Sequence, residues 1–136
     1  MSSLTAVSHL GRLALPAALL VATGACGSDS LAPFQPQIGN ASDNFQLQAT
    51  NVTSVTSTRN YTWVNTGTRA TINHSTTTSM GSTLLVIRDA AGLTVYSKAL
   101  SASLNEPTLA GQAGTWTIQL VLTGYSGTLN FRAQKL

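Results

Sequence analysis

One imidazole, His74, stands beyond the first 25 residues, and it is the only side chain there that could act as a neutral general base near physiological pH. Nucleophilic catalysis would need it beside a Ser or Thr hydroxyl, with Asp89 or Glu106 to orient it. The local run Asn73-His74-Ser75-Thr76 is Ser/Thr-rich, so His74 is expected to be a solvated histidine on a strand edge, and a small hydrolase using it is the least favoured reading. Asp89 and Glu106 as a glycosidase-like carboxylate pair would have to meet across a cleft. Asp89 is better explained by the Asp89-Ala90-Ala91-Gly92 turn, where Asp bonds its own backbone, and Glu106 by a Pro-bounded loop. Zinc would need three or four Cys, His or carboxylate ligands, and calcium several carboxylates. The chain offers neither set, and no glycine-rich phosphate loop, so no metal, no cofactor and no enzymatic activity are expected.

Aromatic side chains offer a different chemistry. Flat rings on a rigid sheet can stack on sugar faces while neighbouring Ser, Thr, Asn and Gln bind hydroxyls. Trp63 and Tyr125 are expected to be the exposed rings of such a platform, Tyr125 because it lies in a Gly-Tyr-Ser-Gly turn, with Tyr61 and Tyr96 as further candidates. Trp116 heads an apolar strand face and is expected in the core.

The only cysteine is Cys26, preceded by Thr23-Gly24-Ala25 and by the apolar run LALPAALLVA at residues 13–22. That run has the length of a signal h-region and falls short of the roughly 20 residues a spanning helix needs. A lone Cys in an exported chain has no disulfide partner. The stretch resembles the signal of bacterial lipoproteins. That resemblance implies cleavage between Ala25 and Cys26, a diacylglyceryl thioether on Cys26 and acylation of the new amino group. Gly27 rather than Asp after the cysteine implies, by the same resemblance, the outer membrane where the host has two membranes. Two or three acyl chains anchor a protein that one would hold only marginally.

These features divide the chain into a signal helix at 1–25, a lipidated Cys26 with a flexible linker at 26–43, and a folded domain at 44–136. Residues 27–43 carry Pro33 and Pro36 without a sustained period, and as an extended linker would reach roughly 50 Å. From Phe45 onward the pattern is strands and turns. Phe45, Leu47 and Ala49 alternate with polar residues; Tyr61–Val64 begins a second strand that breaks at Asn65-Thr66-Gly67. Residues 69–78 continue with Ala70 and Ile72 on one face. Residues 84–88 (LLVIR) read as a strand covered on both sides and paired through the Asp89–Gly92 turn with residues 93–96. Asn105-Glu106-Pro107 reads as a break. Trp116, Ile118, Leu120 and Leu122 share the inner face of the clearest strand, which should end at Gly124, and Leu129, Phe131 and Ala133 point inward from the last one, with Asn130, Arg132 and Gln134 outward. The fold class is all-β: an antiparallel β-sandwich of six to eight strands, Ig-like or jelly-roll in order.

The stretch GTWTIQLVLTGYSGTLNFRAQ, with GSTLLVIRDAAG before it, resembles the closing half of the bacterial pre-peptidase C-terminal domain. The carried pattern is Gly114, Trp116, Ile118 and Leu120, then a Gly-rich turn and the pair Asn130-Phe131. The resemblance implies a small β-sandwich accessory to secreted or surface proteins. Calcium-binding members carry acidic residues around the central strand, where this chain has Gly81-Ser82-Thr83 before it and only Asp89 after it.

Composition agrees with export and argues against nucleic acid. Of 136 residues 43% are hydrophobic and 8% charged, against about a quarter charged in ordinary globular chains. Without the signal, six cations face four carboxylates, and Arg59, Arg69, Arg88, Lys98, Arg132 and Lys135 are scattered singly rather than clustered in the stripe that phosphates require. The expected protein is a non-catalytic, lipid-anchored binding or structural module of the cell envelope, whose partner beyond the membrane is a polysaccharide or an envelope protein. A carbohydrate-binding module using exposed aromatics is the alternative.

Overall fold

The computed structural model describes residues 34–136, so the signal, Cys26 and the chain up to Pro33 lie outside the described residues. Seven strands follow: β1 (Gln37–Ala41), β2 (Asn44–Asn65), β3 (Ala70–His74), β4 (Thr77–Arg88), β5 (Thr94–Lys98), β6 (Leu104–Pro107) and β7 (Gly114–Lys135). All pairings are antiparallel, in the order β1-β2-β7-β3-β6, with β4 also on β7 and β5 on β4. The fold is all-β, as the alternation of residue types requires.

Two strands of 22 residues, β2 and β7, organise everything else. They pair from Asn44↔Gln134 to Asn65↔Gly114, but the register slips between Ala49 and Ser57. In that stretch Asn51 (φ 55°) and Ser54 (φ 49°) adopt left-handed backbone, opposite Gly124 (φ 53°) and Gly127 (φ 147°). On the other side of β7, β4 slips between Thr78 and Ser82, with Gly81 at φ 73°. Bulges increase bend and twist, and three strands bulge along one line. The sheet therefore folds over on itself there. The ends of β2 come back together: the Asp43 amide donates to the Val64 carbonyl (2.9 Å), and the rings of Phe45 and Tyr61 lie 5.6 Å apart.

The result is a two-layered, β-sandwich-like body. The first layer comprises β1, the start of β2, the end of β7, β3 and β6. The second comprises the end of β2, the start of β7, β4 and β5. One core cluster joins Phe45, Leu47, Phe131 and Ile72 of the first layer to Trp63, Trp116, Ile118 and Leu85 of the second. Asp43 fastens the open end. Its carboxylate accepts the Thr66 amide (2.7 Å) and hydroxyl and meets Lys135 Nζ at 3.1 Å, while its carbonyl accepts the Lys135 amide. These bonds, the Thr66 amide foremost, hold the Asp43 carboxyl below the usual aspartate range.

Three expectations change. Strand β1 occupies part of the expected 26–43 linker and Phe34 is buried, so the folded body starts before residue 44. Asn105-Glu106-Pro107 is an edge strand, not a break; Pro107 is tolerated because it is the last residue of a strand paired on one side only. Gly124 does not end its strand, since glycine in a bulge lets the ladder continue.

Candidate functional site

His74 closes β3, and its phase with Ala70 and Ile72 carries it inward: it is 2% exposed, not solvated. Its polar neighbours Asn73 and Ser75 point out, which is what made the run look wet. Tyr96 of β5 reaches it from the second layer, with Oη 2.9 Å from His74 Nε2 and 2.9 Å from Glu106 Oε1. The phenol has one proton and the carboxylate can only accept. Tyr96 therefore donates to Glu106, His74 Nε2–H donates to Tyr96, and His74 Nδ1 accepts the Ser101 amide at 3.3 Å. Lys98 completes the chain on Glu106. Burial holds the His74 pKa below its ordinary value against the opposing pull of Glu106. Burial and then the Glu106 contact push the Tyr96 phenol up, while Lys98 and then Tyr96 hold the Glu106 carboxyl down.

This network is internally satisfied. The Ser101 hydroxyl lies 3.4 Å from Nδ1, whose lone pair the Ser101 amide already engages. The groove alongside is walled by Val95, Tyr96, Lys98, Glu106, Pro107 and Leu109 and not by His74. The cluster acts as a polar clasp between β3, β5 and β6. A pH dependence follows. Because the folded-state pKa of His74 lies below the unfolded value near 6.5, the unfolded chain binds the proton first, and stability falls as pH drops below that value. The unfolding free energy from urea titrations should decline from pH 7.5 to pH 5, by at most about 1.4 kcal/mol per pH unit for this one proton. His74→Gln, which cannot titrate, should flatten the slope in that window; an unchanged slope would refute the assignment.

The expected aromatic platform does not form. Trp63, Tyr125 and Tyr96 are buried, and Tyr61 is half-buried against Phe45. Both long strands run on through their bends: Trp63 shares the inner face of β2 with Asn65, and the bulge in β7 shifts the inward positions from even (Trp116 to Leu122) to odd (Tyr125 to Ala133), which turns Tyr125 into the core. Tyr125 donates its hydroxyl to the Thr77 carbonyl (2.8 Å) and Trp63 its indole N–H to the Ala41 carbonyl (3.1 Å). Trp116 is in the core, as its strand face requires. Asp89 is a turn residue that also reaches further: its carboxylate accepts the Ala91 and Leu93 amides and, from a distant loop, that of Gln112, which with the others lowers its pKa. It and Glu106 are held by different partners. Among the described residues no three His, Cys, Asp or Glu side chains gather into a potential metal cluster.

An open site lies on the outer face of the first layer. Since Leu129, Phe131 and Ala133 point inward, Asn130, Arg132 and Gln134 must point outward, and β2 and β3 repeat the alternation. The register then sets Gln46, Arg132, Asn73 and Asn105 in one row across β2, β7, β3 and β6. With Asn130 and Gln134 on either side of Arg132, this row lines a concavity of about 540 Å³, to which Asp43, Thr71 and Lys135 also contribute. Arg132 Nη2 donates to Gln46 Oε1 at 3.2 Å. Among the described residues, the amide groups of Asn73, Asn105, Asn130 and Gln134 have no intramolecular hydrogen-bond partner and Arg132 no carboxylate partner. Sequence reasoning placed Asn130, Arg132 and Gln134 on the wet face of a strand but missed the site. The alternation was the available signal; the cross-strand partners were not.

No protein-family model matches the chain, and no curated protein matches it.

Proposed function

We propose that this chain is a non-catalytic binding module of the bacterial cell envelope, moored by a lipid on Cys26 and presenting the amide-lined concavity to an envelope polysaccharide. The observation that carries this reading is a contrast between two clusters. The titratable groups with the right types for catalysis, His74, Tyr96 and Glu106, spend their hydrogen bonds on one another. The amides of the concavity, by contrast, are open to a ligand. Convergent Asn and Gln side chains, each with donor and acceptor atoms, suit the paired hydroxyls of a sugar chain. The resemblance of residues 81–134 to the pre-peptidase C-terminal domain supports an accessory role, and the lipoprotein-like signal supports the mooring, at the outer membrane where the host has two. The eight steps from Cys26 to Phe34 span at most roughly 28 Å, so the body would stand nearer the headgroups than a 17-residue linker would place it.

Two measurements test this. The full-length chain expressed in a double-membraned bacterium should gain the mass of its acyl groups, start at Cys26 and lose both features in Cys26→Ala. Detergent-solubilised protein should retain an envelope polysaccharide fraction that an Asn73→Ala/Asn130→Ala variant releases. A bare residue 26 refutes the mooring, and retention unchanged in that variant refutes the site.

A further inference from the structure

We infer that the ligand of the concavity is an acidic polysaccharide, a sugar chain bearing carboxylates, and that Arg132 selects it; this rests on the binding role proposed above. Arg132 stands at the crossing of the row and the strand: Gln46 and Asn73 are its cross-strand neighbours, and Asn130 and Gln134 precede and follow it by two residues on the same face. Its guanidinium has five N–H donors, and among the described residues Gln46 is the one side-chain acceptor on it. Asp43, the acidic residue lining the concavity, is paired with Lys135, so the local charge that remains is the arginine's. Glu106 does not line the concavity and is bound to Lys98 and Tyr96. A planar, always-charged fork facing solvent matches a carboxylate in two-point geometry.

The surroundings decide what else the ligand carries. No Trp, Tyr or Phe lines the concavity. A neutral glucan bound through ring stacking is therefore poorly served, whereas a chain read along its hydroxyl edges is well served. Adjacent strands lie about 4.7–4.9 Å apart, so the row from Gln46 to Asn105 extends roughly 14 Å. A chain laid along it meets an amide on each side of the arginine, which places hydroxyls beside Gln46 and Asn73 when a carboxylate sits on Arg132.

Full-length protein in detergent is titrated calorimetrically with hexagalacturonate, with a neutral hexagalactan and with hexaglutamate. Hexagalacturonate should bind at least tenfold tighter than the neutral hexamer, and the preference should shrink with added salt. Arg132→Gln should abolish the preference, Arg132→Lys should keep part of it, and Asn73→Ala should weaken both glycans several-fold. Arg132 is exposed, and the urea midpoint of each variant, measured alongside, should match the parent. Equal binding of the two glycans with Arg132→Gln silent overturns the acidic class yet leaves a sugar-binding module. Hexaglutamate binding as tightly as hexagalacturonate shows that charge alone is read and overturns the polysaccharide. Absence of binding to all three probes overturns this inference, while retention of the envelope fraction separately decides the binding role.

Discussion

Gly127→Ala should lower the unfolding free energy by about 2–5 kcal/mol, combining the cost of a strained backbone with that of forced overpacking. The residue sits at φ 147°, and a Cβ there would strike the Thr77 carbonyl and come within 2.8 Å of Tyr125 Oη. Neither neighbour can give way cheaply. The Thr77 carbonyl is backbone of β4 and already accepts the buried Tyr125 hydroxyl. The position lies on the line of bulges along which β2, β7 and β4 bend, so displacing it opens the fold between the layers. For a domain of this size a loss of about 3 kcal/mol lowers Tm by more than about 10 °C. Ser54→Gly provides the contrast. Ser54 occupies left-handed backbone at φ 49°, and its amide, which glycine keeps, donates to Ser126 Oγ. Released strain and added chain entropy nearly offset one another there, so the change should stay under about 1 kcal/mol. Urea unfolding of the two variants beside the parent checks both; a parental midpoint for Gly127→Ala would mean that the corner is not built this way.

The period-two alternation carried most of the fold. Phe45, Leu47, Trp116, Ile118, Phe131 and Ala133 point inward as their spacing requires, and the Asp89 turn joins β4 to β5. What spacing could not convey is that the Gly124–Gly127 stretch, read as a turn, is a bend inside a longer strand, and that residues 45–49 and 61–64, read as separate strands, belong to one. Asn51, Ser54, Gly124 and Gly127 signal a change of backbone direction, but a chain that leaves the ladder and one that bulges and rejoins it use the same residue types. That ambiguity misplaced Tyr125 in a turn. His74 shows the converse. Its inward phase was continuous with Ala70 and Ile72, yet its composition looked wet, and phase decided its burial because Tyr96 was there to bond it. The concavity was the least legible feature. Gln46, Arg132, Asn73 and Asn105 come from four separate strands, and register between distant strands is a tertiary property that no local pattern encodes.

Trp116→Ala should cost about 3–5 kcal/mol, the usual loss for deleting a large buried aromatic. Its side chain is fully buried, its indole N–H donates to the Gln112 carbonyl at 2.7 Å, and its ring meets that of Trp63 edge-on, 5.8 Å between centroids and 84° between planes. The two are direct cross-strand partners of β2 and β7. Trp63→Ala should therefore cost a similar amount and also free the Ala41 carbonyl at the end of β1. Because each removes a contact the other makes, the double variant should lose less than the two single losses together, by about 0.5–3 kcal/mol. Fluorescence separates this account from a sugar-stacking one. Both indoles are enclosed, so emission should be blue-shifted, resistant to aqueous quenchers and unchanged by glycan, while Trp63→Ala should reduce stability and leave the affinity of the folded fraction intact. A Trp63→Ala protein that kept the parental midpoint but lost its ligand would place that ring at the surface, and the inner face of β2 would have to be reassigned.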